Sequence, residues 1–331
     1  MNVIFTQLLA GLQVGAIYAL IALGLTLIFG TLGVVNFAHG ALYIIGSYIA
    51  VLLLTGLGLN FWLVLILTAL LLFGIGIVLE RGLMRFFYNR PHTDQILVTF
   101  GLAIVVQEAL RWRFGANPLQ YPIPSWAGRP TFFYGAGATP PEGSLAIPMP
   151  FLTGFVPYPT FRLTLILVAV LTVLALFALL RFTKFGLTVR AGMRDPEMLR
   201  FLGVNITQKF SIVFGIGALI AGVAGVFGGP IVTVSPDVGM ALLVPSFLVV
   251  VIGGMGSMIG ALVAAVLIGM ASSFSVLAQN YTSDIAALIG ADSGIVQTLF
   301  AALQQIVIYL VAVIVLLVRP RGLFGKKGVF E

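Results

Sequence analysis

GLTLIFGTLGVVNFAHGALYIIGSY, residues 24–48, carries no charged residue and would be one continuous apolar run but for Asn36, His39 and the glycines around them. A helix at a protein–water boundary sets its apolar stripe against a charged face; a run this apolar on every side is solvated by lipid or by other helices. Polar groups at that depth are costly, so Asn36 and His39 are expected to face protein or a water-filled path. Asn36 can cap the helix that follows, with Gly33 and Gly40 loosening the backbone on either side, and a broken helix of this kind exposes backbone groups to a solute. The plainer reading makes Asn36 a cap at the inner membrane surface and leaves His39 in the headgroup zone.

The rest of the 331-residue chain repeats the pattern. It is 60% hydrophobic and 8% charged, with a mean hydropathy of +1.15, against about 25% charged residues in soluble domains. The expected fold is an all-α membrane protein, one domain over residues 1–331, a polytopic bundle of about 8–9 spans. Candidate spans are 8–30, 38–55, 61–80, 95–114, 161–180, 208–230, 239–252, 257–279 and 297–318. The first lacks a basic n-region and a cleavage-like site, so it is expected to stay in place. With no cysteine, disulfides, thiolate metal sites and thiol nucleophiles are excluded.

The pI near 9.9 does not point to nucleic acid, because the basic residues sit in clusters between apolar runs. Arg81, Arg85 and Arg90 form one; Arg181, Lys184, Arg190, Arg194, Arg200 and Lys209 a second; Arg319, Arg321, Lys326 and Lys327 a third. With these in the cytoplasm, including the tail 319–331, nine spans put the N-terminus outside. A broken or re-entrant element at 31–46 would make eight and move it inside. Residues 115–160, rich in Pro, Gly and aromatics, are expected to form an extracytoplasmic loop, with Trp112, Trp126, Tyr121, Phe132, Phe133 and Tyr134 at the headgroups. Glycines crowd the later runs. Gly225 with Gly229, Gly11 with Gly15, and Gly256 with Gly260 are GxxxG pairs suited to close helix packing.

Residues 181–209, RFTKFGLTVRAGMRDPEMLRFLGVNITQK, form the most ordered polar segment. Asp195 suits an N-cap, Pro196 the first helical position, Glu197 the first turn and Gly203 the stop, framing a two-turn helix with Met198, Leu199, Phe201 and Leu202. So short a helix needs a surface to dock on, either another subunit or the lipid headgroups. Glu108 can pair with Arg111 three residues on, and Glu80 with its basic neighbour Arg81. Two histidines, no HExxH, no GxSxG and no GxxxxGK[ST] leave no catalytic arrangement and no phosphate loop. ATP hydrolysis, if used, belongs to another chain.

The run at 24–48 resembles the N-terminal signature of LivH-type permease subunits of branched-chain amino acid ABC importers. RAGMRDPEMLRFLGVN resembles the cytoplasmic loop of that family, VVVIGGMGSMIGALVAAVLIG its Gly-rich segment, and LLVRPRGLFG its C-terminal motif. The resemblance implies a bacterial inner-membrane permease, not an enzyme, working with a second homologous permease in a heterodimer. It also implies two ATPase subunits that bind ATP and Mg, and an extracytoplasmic solute-binding protein. It makes Asp195 to Gly203 a coupling helix, with Leu199 and Leu202 toward the ATPase. The solute path is placed near Asn36, His39, Tyr43, Gly253, Gly254 and Gly256, with Gly225, Gly229 and Gly260 in helix packing. Related permeases carry urea, short amides or aromatic and other carboxylates, and the loops at 115–160 and 280–296 depart from the amino acid members. An ion-coupled carrier is the alternative of another class; its mark, a buried unpaired carboxylate, is not apparent in the sequence.

Overall fold

The computed structural model describes residues 2–135, 137–279, 281–290 and 292–325; Lys326 and Lys327 of the third basic cluster lie outside them. Helices α1 (Asn2–Leu32), α2 (His39–Gly56), α3 (Phe61–Gly82) and α4 (His92–Phe114) are followed by three short strands, β1 (Pro130–Tyr134), β2 (Ala146–Pro148) and β3 (Phe155–Pro159). Then come α5 (Thr160–Phe182), α6 (Lys184–Arg194), α7 (Pro196–Phe201), α8 (Ile206–Gly228), α9 (Val238–Gly253), α10 (Met258–Gln279), α11 (Thr282–Ile289) and α12 (Ser293–Val318). Among the described residues eight helices are long and apolar enough to cross a bilayer. The chain is therefore a multi-pass membrane protein.

The expected span at 239–252 is the exception. At 16 residues α9 extends about 24 Å, short of a 30 Å hydrocarbon core. It still completes a traverse. Asp237, just ahead of it, receives bonds from Gln107 and Arg111 in the second half of α4. Its far end meets the tail, where Leu323 and Phe324 donate to the carbonyls of Ile252 and Gly253. The basic loops collect at that tail end, since one cavity there is lined by Leu32, His92, Met193, Met255, Met258 and Phe324. At the opposite end Asn2 donates to the Thr153 carbonyl in the long loop. The first residues of α1 and the three basic clusters thus lie at opposite ends. The broken, re-entrant element of the eight-span alternative is present between α1 and α2, and eight helices are of full spanning length, yet the first residues of α1 stay at the end opposite the basic loops.

The bundle is built around α1 and α8, whose apolar windows are each 78% buried, while α5 and α12 show mostly apolar side chains outward. Small residues bring the central backbones together, as expected where apolar side chains gain nothing by leaving lipid. Gly11 and Gly15 face Gly269 and Ala265 of α10; Gly222 faces Gly46 of α2; Gly225 faces the Tyr43 carbonyl and Ser47. Gly229 abuts the Tyr121 ring, and Gly260 abuts the Gly253 carbonyl across the α9–α10 turn. Gly256 lies in that turn, not on a helix, so its pairing with Gly260 is not a GxxxG face.

The 115–160 loop is not helical, as its prolines require, but it is not irregular either. β1 pairs antiparallel with β3 and parallel with β2. Two of its aromatics turn inward instead of lying at the headgroups: Phe133 is buried against Phe5 and Tyr121 is half-buried against Gly229. Trp126 stacks on Trp62, and Trp112 remains exposed. The 280–296 loop holds α11 and the start of α12.

Candidate translocation path and coupling surface

Between α1 and α2 the chain is not helical. Residues 33–36 have no regular structure, beginning at Gly33 in the left-handed region with φ +65°, and α2 starts only at His39. The imidazole of His39 lies against Gly24, eight residues before α1 ends, or about 12 Å up that helix. The segment therefore re-enters the bundle to roughly mid-depth. Open backbone at such depth must find partners inside the protein. Two side chains one turn apart on α4 supply them: Gln95 Oε1 accepts from the Val35 N–H at 3.3 Å, and Thr99 Oγ1 accepts from the Phe37 N–H at 3.0 Å. The Gln95 amide also donates to the carbonyls of Phe87 and Arg90, so it clamps the α3–α4 loop to the re-entrant segment. Nothing in the sequence singled out Gln95 or Thr99; a polar pair at i and i+4 inside a candidate span was the available signal.

Asn36 is buried. Its Oδ1 accepts from the Ala38 N–H at 3.0 Å, forming an Asx-type turn ahead of α2 and not the expected N-cap, a position that Ala38 takes. Its Nδ2 has no partner among the described residues. Asn36 lines a closed pocket of only about 10 Å³, room for about one water, with Leu25, Phe29, Phe247, Val250 and Met255. Phe29 and Met255 also line a cavity of about 800 Å³ at the basic end, and that one shares Gly30, Phe177, Gly256 and Met258 with a neighbour of about 530 Å³. Shared lining residues thus lead from the closed pocket at Asn36, past Met255 and Gly256, to the wider cavities of the basic end. His39 and Tyr43 are fully buried and line none of these three cavities; His39 is packed in the bundle, not in the headgroup zone. Gly253 and Gly254 are buried behind the wall, against Gly260 and Gly325.

The α5–α8 loop contains two helices where the sequence suggested one. In α7 the Asp195 carboxylate accepts from the Met198 N–H at 2.9 Å, and Pro196 is the first helical residue. The stop at Gly203 is a Schellman motif, with φ +76° and the Val204 N–H bonded to the Leu199 carbonyl. Glu197 is exposed in the first turn. Leu199 is half-buried toward Gly192 of α6, whereas Met198, Phe201 and Leu202 are 56%, 87% and 70% exposed. The open apolar surface is therefore Met198, Phe201 and Leu202.

Glu80, Glu108 and Asp237 are each held by a partner. Glu108 pairs with Arg111 at 2.8 Å, as expected, and Arg111 also binds Asp237 at 2.5 Å. Glu80 does not pair with Arg81. It is fully buried and accepts from the hydroxyls of Tyr88 and Ser211, tying α3 to the first turns of α8. Burial, then the Glu80 carboxylate beside it, push the Tyr88 phenol above its ordinary range, so it remains a donor there. Among the described residues no cluster of three His, Cys, Asp or Glu could hold a metal.

Comparison with known proteins bears on the same features. A family model described as branched-chain amino acid transport system / permease component matches residues 7–316. The high-affinity branched-chain amino acid transport system permease protein LivH of Escherichia coli is 27% identical over 98% of this chain and 96% of its own. BraD of Pseudomonas aeruginosa, described in the same words, is 29% identical over the same shares. LivM of Salmonella typhimurium, also a permease protein of such a system, is 29% identical over 76% of this chain and 60% of its own. No solved structure matches significantly.

Proposed function

The chain belongs to the permease family of branched-chain amino acid transport systems, and from that membership we propose that it forms half of the membrane pathway of a binding-protein-dependent ABC importer for branched-chain or similarly hydrophobic amino acids. The observation that carries the reading is the family match from residue 7 to 316, which spans both these cavities and α7. A second permease is its partner; the likeness to both LivH and LivM supports a homologous, non-identical one. Two separate ATPase subunits bind ATP and Mg and dock on Met198, Phe201 and Leu202. A solute-binding protein docks at the end that holds the β-sheet. The basic end faces the cytoplasm of a bacterium, following the charge bias of inner-membrane proteins.

In this scheme solute released from the binding protein reaches mid-depth beside Asn36. The pocket beside Asn36, closed here to about 10 Å³, opens in the transport cycle, so that the Asn36 Nδ2–H meets the solute's polar end and Leu25, Phe247 and Val250 its aliphatic side chain. Closure of the ATPases moves α7, α6 rides with it, and solute leaves past Met255 and Gly256. Urea, amide or aromatic-carboxylate import and ion-coupled transport are not favoured by the relatives. Reconstitution of the chain with its genomic neighbours tests the proposal: labelled leucine should accumulate only with ATP and a loaded binding protein. ATP-independent, ion-gradient-driven accumulation would overturn it.

A further inference from the structure

At the basic end, the cavity of about 530 Å³ lies between α1, α5, α6 and the start of α10, a volume within the usual range for small-molecule sites. Three kinds of chemistry meet in its wall. Arg181 and Arg190 line it, and among the described residues neither forms an ion pair with a carboxylate. Arg181 lies over the Phe177 ring at 5.5 Å, and Arg190 donates to the Leu180 carbonyl. Gly30 and Thr31 bring the last turn of α1, whose carbonyls carry the negative end of a 31-residue helix. Thr26, 1% exposed, also lines the cavity, and its hydroxyl has no partner among the described residues. Leu27, Phe177 and Met258 supply an apolar floor.

Resting on the importer reading above, we propose that this vestibule binds the transported amino acid from the cytoplasmic side and that its occupancy slows further import. The carboxylate sits on Arg181 and Arg190, the ammonium on the last-turn carbonyls of α1 and the Thr26 hydroxyl, and the aliphatic chain against Phe177 and Met258. A molecule held there bridges α1 and α5 to α6, the first helix of the coupling loop, and so resists the motion that each ATP cycle requires. Accumulated product then restrains its own uptake. The same wall could accept the anionic headgroup of an inner-leaflet phospholipid, so the test has two arms.

The complete transporter is placed in vesicles with ATP inside and binding protein outside, so that the lumen is the cytoplasmic side. Vesicles are preloaded with unlabelled leucine or with sucrose, and initial uptake of labelled leucine is compared. Luminal leucine should slow uptake severalfold, and Arg181→Gln and Thr26→Val should each bring the ratio of the two rates toward one. Equal rates in wild type, or an unchanged ratio in both variants, would overturn the proposal. In the second arm, phosphatidylglycerol is replaced by phosphatidylcholine. If the variants' effects follow lipid charge and ignore luminal leucine, the occupant is a headgroup and the proposal fails. No ATP-dependent uptake in sucrose-loaded vesicles would sink the importer reading itself, whereas uptake indifferent to luminal leucine would sink only the vestibule.

Discussion

Asn36 could be found in the sequence because it interrupts an apolar run; the groups that hold it in place could not. Gln95 lies 60 residues beyond Val35, in a span that reads as ordinary, and only the fold brings it to Val35, Phe87 and Arg90. Gln95→Leu would leave the buried Val35 N–H without its acceptor, at about 1–3 kcal/mol, and would release the Phe87 and Arg90 carbonyls of the α3–α4 loop. The variant should melt at a distinctly lower temperature than wild type in detergent, and Thr99→Val, which strips one N–H of its acceptor, should melt between them. A Gln95→Leu chain as stable as wild type would show that the re-entrant segment does not depend on this clamp. Glu80 carries the same lesson. The nearest basic residue in sequence was expected to pair with it, but Glu80 is buried inside the bundle with the hydroxyls of Tyr88 and Ser211, whereas Arg81 is exposed.

Local rules served best where an element makes its own bonds. The cap at Asp195 and the stop at Gly203 were legible because their partners, Met198 and Leu199, are within the same turn or two. Helix α6 was missed, since its basic residues read as flanks of a span and its neighbours, α1, α5, α7 and α8, are brought to it only by the fold. The strand pairs of the long loop were missed for a related reason: its prolines rule out helix but say nothing about which segments meet. Helix α7 leaves Phe201 and Leu202 open to solvent, so Phe201→Asp and Leu202→Asp should fold normally. In the reconstituted complex each should depress leucine uptake by about tenfold or more, the loss expected when a well-packed interface anchor is replaced by a charge, while the ATPase subunits retain basal hydrolysis. Undiminished uptake in both would remove α7 as the docking surface. Leu199→Asp should instead lower stability, because that side chain packs back toward Gly192.

The two-ended arrangement of the whole molecule follows from the charge clusters, and the sequence carried most of it. The charges left open the side of the N-terminus and the break between α1 and α2, and the length of α9 escaped because a short helix and a full span share the same apolar composition. Since the chain has no cysteine, single cysteines can map the arrangement directly. In intact cells Thr153→Cys should react with a membrane-impermeant maleimide, and Leu202→Cys should react only after permeabilisation; the reverse pattern would invert the molecule.

The central claim is that solute passes along the cavities joining Asn36 to the basic end. Met255 lines both the mid-depth cavity and the wider one below it, so a cysteine there can be closed with a small thiol reagent supplied from the cytoplasmic side. The Met255→Cys transporter should import leucine before labelling and lose at least about tenfold of that rate afterwards, a block of about 1.4 kcal/mol or more, while ATP hydrolysis continues. Complete labelling by mass spectrometry with undiminished uptake would mean that the solute takes another route.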